Sequence, residues 1–232
     1  MNFSFTRNDN PEHVLENYHR MASVLGIDAE KMVLSYQTHT TNVRKVTAED
    51  AGKGIVKERE YQDVDGLITN IPGITLVTFY ADCVPLYFVD PVHRAVGLSH
   101  SGWRGTVHRM GKATLEAMNR EYGTEPANVI ACIGPSICQD CFEVGPEVAA
   151  EFADGFAKQY HNDLFYQKPD GKYQVDLWRA NQIVLREAGI PADQIHTTDI
   201  CTRCNPAHLF SHRIMGTERG NLAAFLALRE QG

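Results

Sequence analysis

The sequence predicts an α+β fold, a single domain over residues 1–232 of mixed, mostly antiparallel sheets flanked by helices. Three observations carry this. Short apolar runs rich in β-branched and aromatic residues are interspersed with stretches of helical period, without the regular rhythm of a parallel-sheet protein. The three most apolar runs lie together at the centre, separated by connections that suit antiparallel neighbours. No internal repeat, low-complexity tract or Pro/Gly/Ser-rich linker divides the 232 residues, and 43% hydrophobic content is enough for a sizeable core.

The elements follow in order. Asn10 before Pro11 reads as an N-cap and first-turn proline, and Val14, Leu15, Tyr18, Met21 and Leu25 carry a helical period to Gly26. MVLSYQ (32–37) alternates as a strand, THTTN follows as a polar turn, and GLIT (66–69) is another short strand. ITLVTFY (74–80), VPLYFVD (84–90) and RAVGLSH (94–100) are the central strands. Val107, Met110, Leu115 and Met118 give an amphipathic helix from near Thr106 to near Gly123. Residues 128–133 form a strand, and EVGPEVAAEF opens a helix after Gly145-Pro146. YQVD (173–176) is a strand whose Asp176 caps the helix LWRANQIVLREAG, ending at Gly189. HLFSHR (208–213) reads as a strand and NLAAFLAL (221–228) as a closing apolar helix.

A net charge of −7 supplies no basic face for nucleic acid. The opening MNFSFTRNDNPEH lacks the basic and apolar regions of a secretory signal, and no apolar run reaches membrane-spanning length. The expectation is a cytoplasmic protein without nucleic-acid or membrane partners. Six cysteines, Cys83, Cys132, Cys138, Cys141, Cys201 and Cys204, are then a poor match to disulfides. Four of them form two C-x-x-C pairs, CQDC and CTRC. That is four-cysteine zinc spacing, with a longer gap than a usual ribbon; loop cysteines that merely lie close would read the same.

Three polar residues stand at the ends of apolar runs: His39 in YQTHTTNV, Cys83 in YADCVPLYF and His100 in GLSHSGW. Taken singly, each reads as an ordinary surface histidine or a small core cysteine. As a set, two imidazoles and a thiolate make a three-ligand zinc site with an open fourth position. The same atoms suit a Cys–His nucleophile pair. Asp65 and Asp82 are candidates for orienting an imidazole. A blue-copper centre needs a weak axial ligand, and this stretch offers no obvious methionine. In GWRG, glycines, a helix start and Arg104 together suit an anion such as phosphate; taken alone, the stretch is a glycine turn with Trp103 packed in the core.

The motifs QTHTTNV, DVDGLIT, YADCVPLYFVDP, GLSHSGWRGTV, IGPSICQDCFEVG, YQVDLWRAN and CTRCNPAHLFSHR, in this order, resemble the laccase-domain or YfiH-like family. Its members are often labelled polyphenol oxidase and are mainly assigned as purine nucleoside phosphorylases. The resemblance spans nearly the whole chain and implies an α+β fold of mixed sheets flanked by helices. It also implies a zinc site at the histidine of Q-x-H, the cysteine of A-D-C and the histidine before G-W-R-G, here His39, Cys83 and His100. Two departures stand out: HSGWRG where the family commonly has H-A-G-W-R-G, and LFSHRIMGTERGN where it has F-F-S-Y-R-R and then G-R-Q. Arg213 and Arg219 are retained.

The chemistry so implied is phosphorolysis of adenosine, inosine or guanosine, with purine nucleosides and phosphate as partners and adenosine deamination as a side activity. Arg104, Arg213 or Arg219 would hold phosphate, and Asp65 is the candidate proton shuttle for deamination. Three alternatives stand beside it. Copper at the same trio would support laccase-like phenol oxidation, although the chain lacks the H-x-H pairs of a multicopper centre. Cys83 and His100 would serve a metal-independent hydrolase. The two C-x-x-C pairs would serve a zinc-stabilised interaction protein.

Overall fold

The computed structural model describes residues 1–7 and 9–229. Twelve strands and seven α-helices are arranged among them. The strands are β1 (Met32–Leu34), β2 (Val43–Lys45), β3 (Gly66–Thr69), β4 (Thr75–Tyr80), β5 (Val84–Asp90), β6 (Ala95–Ser101), β7 (Ile130–Ile133), β8 (Glu143–Val144), β9 (Phe165–Gln167), β10 (Tyr173–Val175), β11 (Ile195–Thr197) and β12 (Leu222–Ala227). The helices are α1 (Pro11–Leu25), α2 (Trp103–Val107), α3 (Met110–Tyr122), α4 (Pro146–Gly155), α5 (His161–Leu164), α6 (Leu177–Glu187) and α7 (His212–Met215).

Side-chain alternation builds the layers. A six-stranded sheet runs β11-β7-β5-β6-β3-β2, a three-stranded sheet β1-β4-β12, and a small one β8-β10-β9. On β1, Val33 faces the core between the two larger sheets, whereas Met32 and Leu34 face the cluster under α1. On β3, Leu67 enters the inter-sheet core and Ile68 the opposite cluster with Leu115 and Met118 of α3 and Ile183 and Val184 of α6. Period 2 thus gives each of these two sheets two apolar faces, and the order is α1, the β1-β4-β12 sheet, the six-stranded sheet, α3 with α6. Each fully buried Leu or Ile in these layers contributes about 2 kcal/mol. Gly97 on β6 lets α3 approach: a Cβ there would lie 3.0 Å from Met118 Sδ and 3.1 Å from Thr114 Cγ2.

The α+β class holds, and most pairings are antiparallel; β1–β4, β2–β3 and β7–β11 are parallel. Asn10 caps α1 by accepting from Glu12 N, and Asp176 caps α6 by accepting from Arg179 N at 2.8 Å. Three expectations are corrected. Residues 222–227 form strand β12, not a closing helix. Leu222, Ala224 and Leu226 pack on the inter-sheet core while Ala223 and Phe225 face α1, so apolar packing on both faces erased any strand alternation in the sequence. Residues 208–213 are not a strand. Asn205 O takes the N–H groups of His208 and Leu209 in a turn, and Ser211 precedes α7. The helix expected from near Thr106 starts at Trp103 and breaks at Arg109, whose φ of 66° is left-handed. Arg109 is held there by a 2.5 Å bond to Gly155 O and by its place 4.1 Å over the Phe156 ring.

The strand assignment of 222–227 is testable. Phe225 meets Phe3 edge-on at 5.4 Å and lies 6.4 Å from Tyr18. Phe225→Ala should cost about 3 kcal/mol in urea unfolding, with an unchanged dependence on denaturant. A cost below about 0.5 kcal/mol, as for a surface position, would contradict the packing described.

Candidate metal centre

The register of the large sheet assembles the site. In the antiparallel β5–β6 pair Val84 faces Ser101 and Pro85 faces His100, so the start of β5 and the end of β6 share one edge. In β3–β6, Gly66 faces Ser99, which puts Asp65 at the same edge. Cys83 immediately precedes β5. His39 arrives from the loop after β1, anchored where Tyr36 and Val64 bridge. Gln37 fixes that loop further: its amide donates to Phe79 O (2.8 Å) and accepts from Phe79 N (2.6 Å).

One ligand atom each from His39, Cys83 and His100 lies within 4.8 Å of the other two. The His39 and His100 rings are 4.9 Å apart and nearly perpendicular, at 79°. His100 is buried, Cys83 half-buried and His39 exposed, which leaves one side of the trio open. Gly102 closes the back: a Cβ there would lie 3.1 Å from both Cys83 Sγ and His39 Cδ2. Two imidazoles and a thiolate with an open side form the donor set of a catalytic-type metal site.

Asp65 organises the trio from behind. It is wholly buried, and its Oδ1 takes His100 Nδ1 at 2.7 Å and His39 N at 3.1 Å. Its Oδ2 takes Thr38 N, Thr40 N and Thr40 Oγ1, each at 3.0 Å, and its backbone carbonyl takes His100 N at 2.7 Å. With Nδ1 so engaged, Nε2 of His100 is the free ligand atom. Burial alone would raise the Asp65 carboxyl, but His100 and the loop N–H groups hold it below the usual carboxylate range. Burial would also push the Cys83 thiol up; the facing His100 and His39 overcome this and hold it at about 6. His100, which burial alone would lower, is raised to about 9 by Cys83 and Asp65. The two shifts support each other: the charge on His100 favours the Cys83 thiolate, and the Cys83 thiolate favours the His100 imidazolium.

The remaining candidates separate. Asp82 touches neither imidazole; its carboxylate accepts from Thr202 Oγ1 (2.6 Å) and Arg213 N (2.7 Å). Arg104 is exposed with its guanidinium 4.3 Å over the Trp103 ring, and Trp103 packs against the main core. Arg213 donates to Glu143 O at 2.7 Å and lies over Phe142. Neither arginine lines the pocket at the trio. Arg219 does, in a cavity of about 200 Å³ that it shares with His39, Cys83, His100, Gln37, Phe79 and Arg7. Arg7 belongs to none of the sequence motifs that carry candidate chemistry. Ser101, where the sequence departs from the common alanine, bonds Thr106 Oγ1 (2.9 Å) and Asn181 Oδ1 (3.0 Å). Asn181 in turn donates to Thr106 Oγ1, and this buried network fixes the turn carrying Gly102.

Residues 1–229 match a family described as multi-copper polyphenol oxidoreductase laccase. The chain belongs to this family. Among relatives of this laccase-family chain, a protein named purine nucleoside phosphorylase YlmD, from Bacillus subtilis (strain 168), is 34% identical over 227 residues. The match covers 96% of this chain and 80% of the relative. A protein named adenosine deaminase RL5, from an unknown prokaryotic organism, is 39% identical over 217 residues, 91% of this chain and 80% of the relative. The solved structure of the hypothetical protein YfiH from Bacillus licheniformis superposes with a TM-score of 0.93 at 33% identity, over 98% of this chain and 85% of that one. The family description names several coppers. The described residues hold two close groups of three or more donors, the trio and an all-cysteine group, so the trio is the only one containing histidine. No helix among the described residues is long and apolar enough to cross a membrane.

The ionisation of the trio is directly measurable. In metal-free protein, alkylation of Cys83 followed by peptide mass spectrometry should rise with a midpoint near pH 6. Asp65→Asn removes the anion that supports the imidazolium and should move this midpoint up by about one unit. A wild-type midpoint near the ordinary thiol value of about 8.5 would contradict the pairing.

Proposed function

We propose that the chain is a zinc-dependent purine nucleoside phosphorylase with adenosine deamination as a side activity. The observation that carries this reading is the joining of the trio and two arginines, Arg7 and Arg219, in one pocket. Arg7 Nε is buried with no hydrogen-bond partner among the described residues. Burial, and then the Arg7 charge beside it, hold Arg219 below its ordinary range. Two adjacent cations with an unused buried donor suit a doubly charged anion. The names of the relatives support the same reaction class.

In phosphorolysis a phosphate oxygen bonds ribose C1′ as the C1′–N9 bond breaks, and the base leaves with the electron pair and takes up a proton. Zinc at the trio, when bound, supplies Lewis-acid charge to that site. The other contributions come from the chain. Arg7 and Arg219 bind phosphate and hold it for attack, in preference to Arg104 and Arg213, which stay outside the pocket. Phe79 offers aromatic surface to the base in the same cavity. Asp65 is assigned an orienting role: both its oxygens are occupied and it is sealed from the pocket, so it fixes the His100 tautomer. Zinc is preferred to copper because the described residues place one histidine-containing donor set together, whereas phenol oxidation by a multicopper centre needs several.

The test is release of base from inosine and adenosine, with and without phosphate, by zinc-loaded protein. Ribose 1-phosphate should form only with phosphate, and His39→Ala and Cys83→Ala should lower its rate at least about 100-fold. A hydrogen bond to a charged group is worth about 1.5–3 kcal/mol, so Arg219→Ala should raise the phosphate KM roughly 10–100-fold. Base release at equal rate without phosphate would favour the Cys83–His100 hydrolase, and no release at all would overturn the phosphorylase reading.

A further inference from the structure

The two C-x-x-C pairs, which the proposed reaction does not use, converge. Cys138 and Cys141 come from the loop between β7 and β8, Cys201 and Cys204 from the loop after β11. All four sulfurs lie within 4.8 Å of one another, with Cys141 Sγ and Cys204 Sγ 3.4 Å apart. None is in a disulfide. A zinc ion with tetrahedral Zn–S bonds of about 2.3 Å separates its sulfurs by about 3.8 Å, inside this range. The surroundings suit thiolates. Cys201 Sγ accepts the backbone N–H of Cys138 and of Cys204, both at 3.4 Å, and Arg203 Nη1 donates to Cys141 Sγ at 3.3 Å. These donors offset the double negative charge that four thiolates leave on a divalent ion.

We propose that Cys138, Cys141, Cys201 and Cys204 form a second, structural zinc site that clamps these two loops behind the catalytic pocket. The clamp lies next to the trio through Asp82. Thr202, between the two cysteines of the second pair, donates to Asp82 Oδ1 at 2.6 Å, and Ile137, just before the first pair, donates its N–H to Asp82 O at 3.0 Å. Asp82 adopts φ 84° immediately before Cys83. The four-cysteine site thereby holds the left-handed residue that aims Cys83.

The experiment is metal analysis and cobalt substitution on the full chain purified under reducing conditions. His39→Ala/Cys83→Ala, which removes the trio, should retain one zinc per chain. Its cobalt form should show the intense visible bands and thiolate-to-cobalt charge transfer of a tetrahedral four-sulfur site. Cys138→Ser/Cys204→Ser should lose that spectrum. If that variant fails to fold, the cobalt spectrum of His39→Ala/Cys83→Ala decides alone. A chelator should lower the Tm of His39→Ala/Cys83→Ala; an unchanged Tm after the metal is removed would overturn the structural role. No metal in His39→Ala/Cys83→Ala, a spectrum with nitrogen or oxygen ligands, or a Cys141–Cys204 disulfide under reducing conditions would overturn the proposal. This outcome is independent of the phosphorylase reading, since the deciding variant lacks the trio.

Discussion

The structure around the pocket depends on one buried carboxylate. Asp65 has no exposure to solvent, and its carboxylate accepts five hydrogen bonds, three from backbone N–H groups of the 38–40 loop. An uncompensated carboxylate in this position would cost several kcal/mol. Because every donor must be in place to offset that, the ion fixes the loop, the His100 tautomer and the edge of β3 together. Two of the three trio residues are thus set by a single neighbour that is not itself in the trio.

The other constraint is backbone strain at the trio. His39 has φ 66°, and Asp82, next to Cys83, has φ 84°. Left-handed non-glycine residues cost of order 1–3 kcal/mol and persist where the surroundings over-determine them. His39 is held by its N–H on Asp65, and Asp82 by Thr202, Arg213 and Ile137. His100 needs no such device, because β6 pairs on both sides and delivers it in register. A rigid strand end thus supplies one donor and two pinned loops supply the others, the arrangement expected where a site must be preorganised.

Much of this was legible in the sequence, and the failures have physical causes. Strands 75–80, 84–90 and 95–101 are short β-branched and aromatic runs, and their ends carry Cys83 and His100. Asp65 and Asp82 were both readable as candidate partners of an imidazole, and of the two it is Asp65 that bonds His100. Strand β12 was not, since apolar packing on both of its faces leaves an all-apolar run that a helix would also show. Arg7 was not either: it reaches the pocket only because the N-terminal segment pairs with residue 221, from Phe3 N to Asn221 O at 3.1 Å. Such long-range juxtaposition leaves no local period. Arg104 illustrates the converse, a residue whose glycine-flanked motif suggested an anion and whose side chain instead stacks on Trp103.

The central claim is that a metal ion binds His39, Cys83 and His100 together. X-ray absorption at the zinc edge of the zinc-loaded wild-type protein, less the contribution measured on His39→Ala/Cys83→Ala, measures that shell directly. The expected shell has one sulfur at about 2.3 Å and two imidazole nitrogens at about 2.0–2.1 Å. A shell of oxygen alone, or one that keeps its sulfur when Cys83 is replaced by serine, would contradict it.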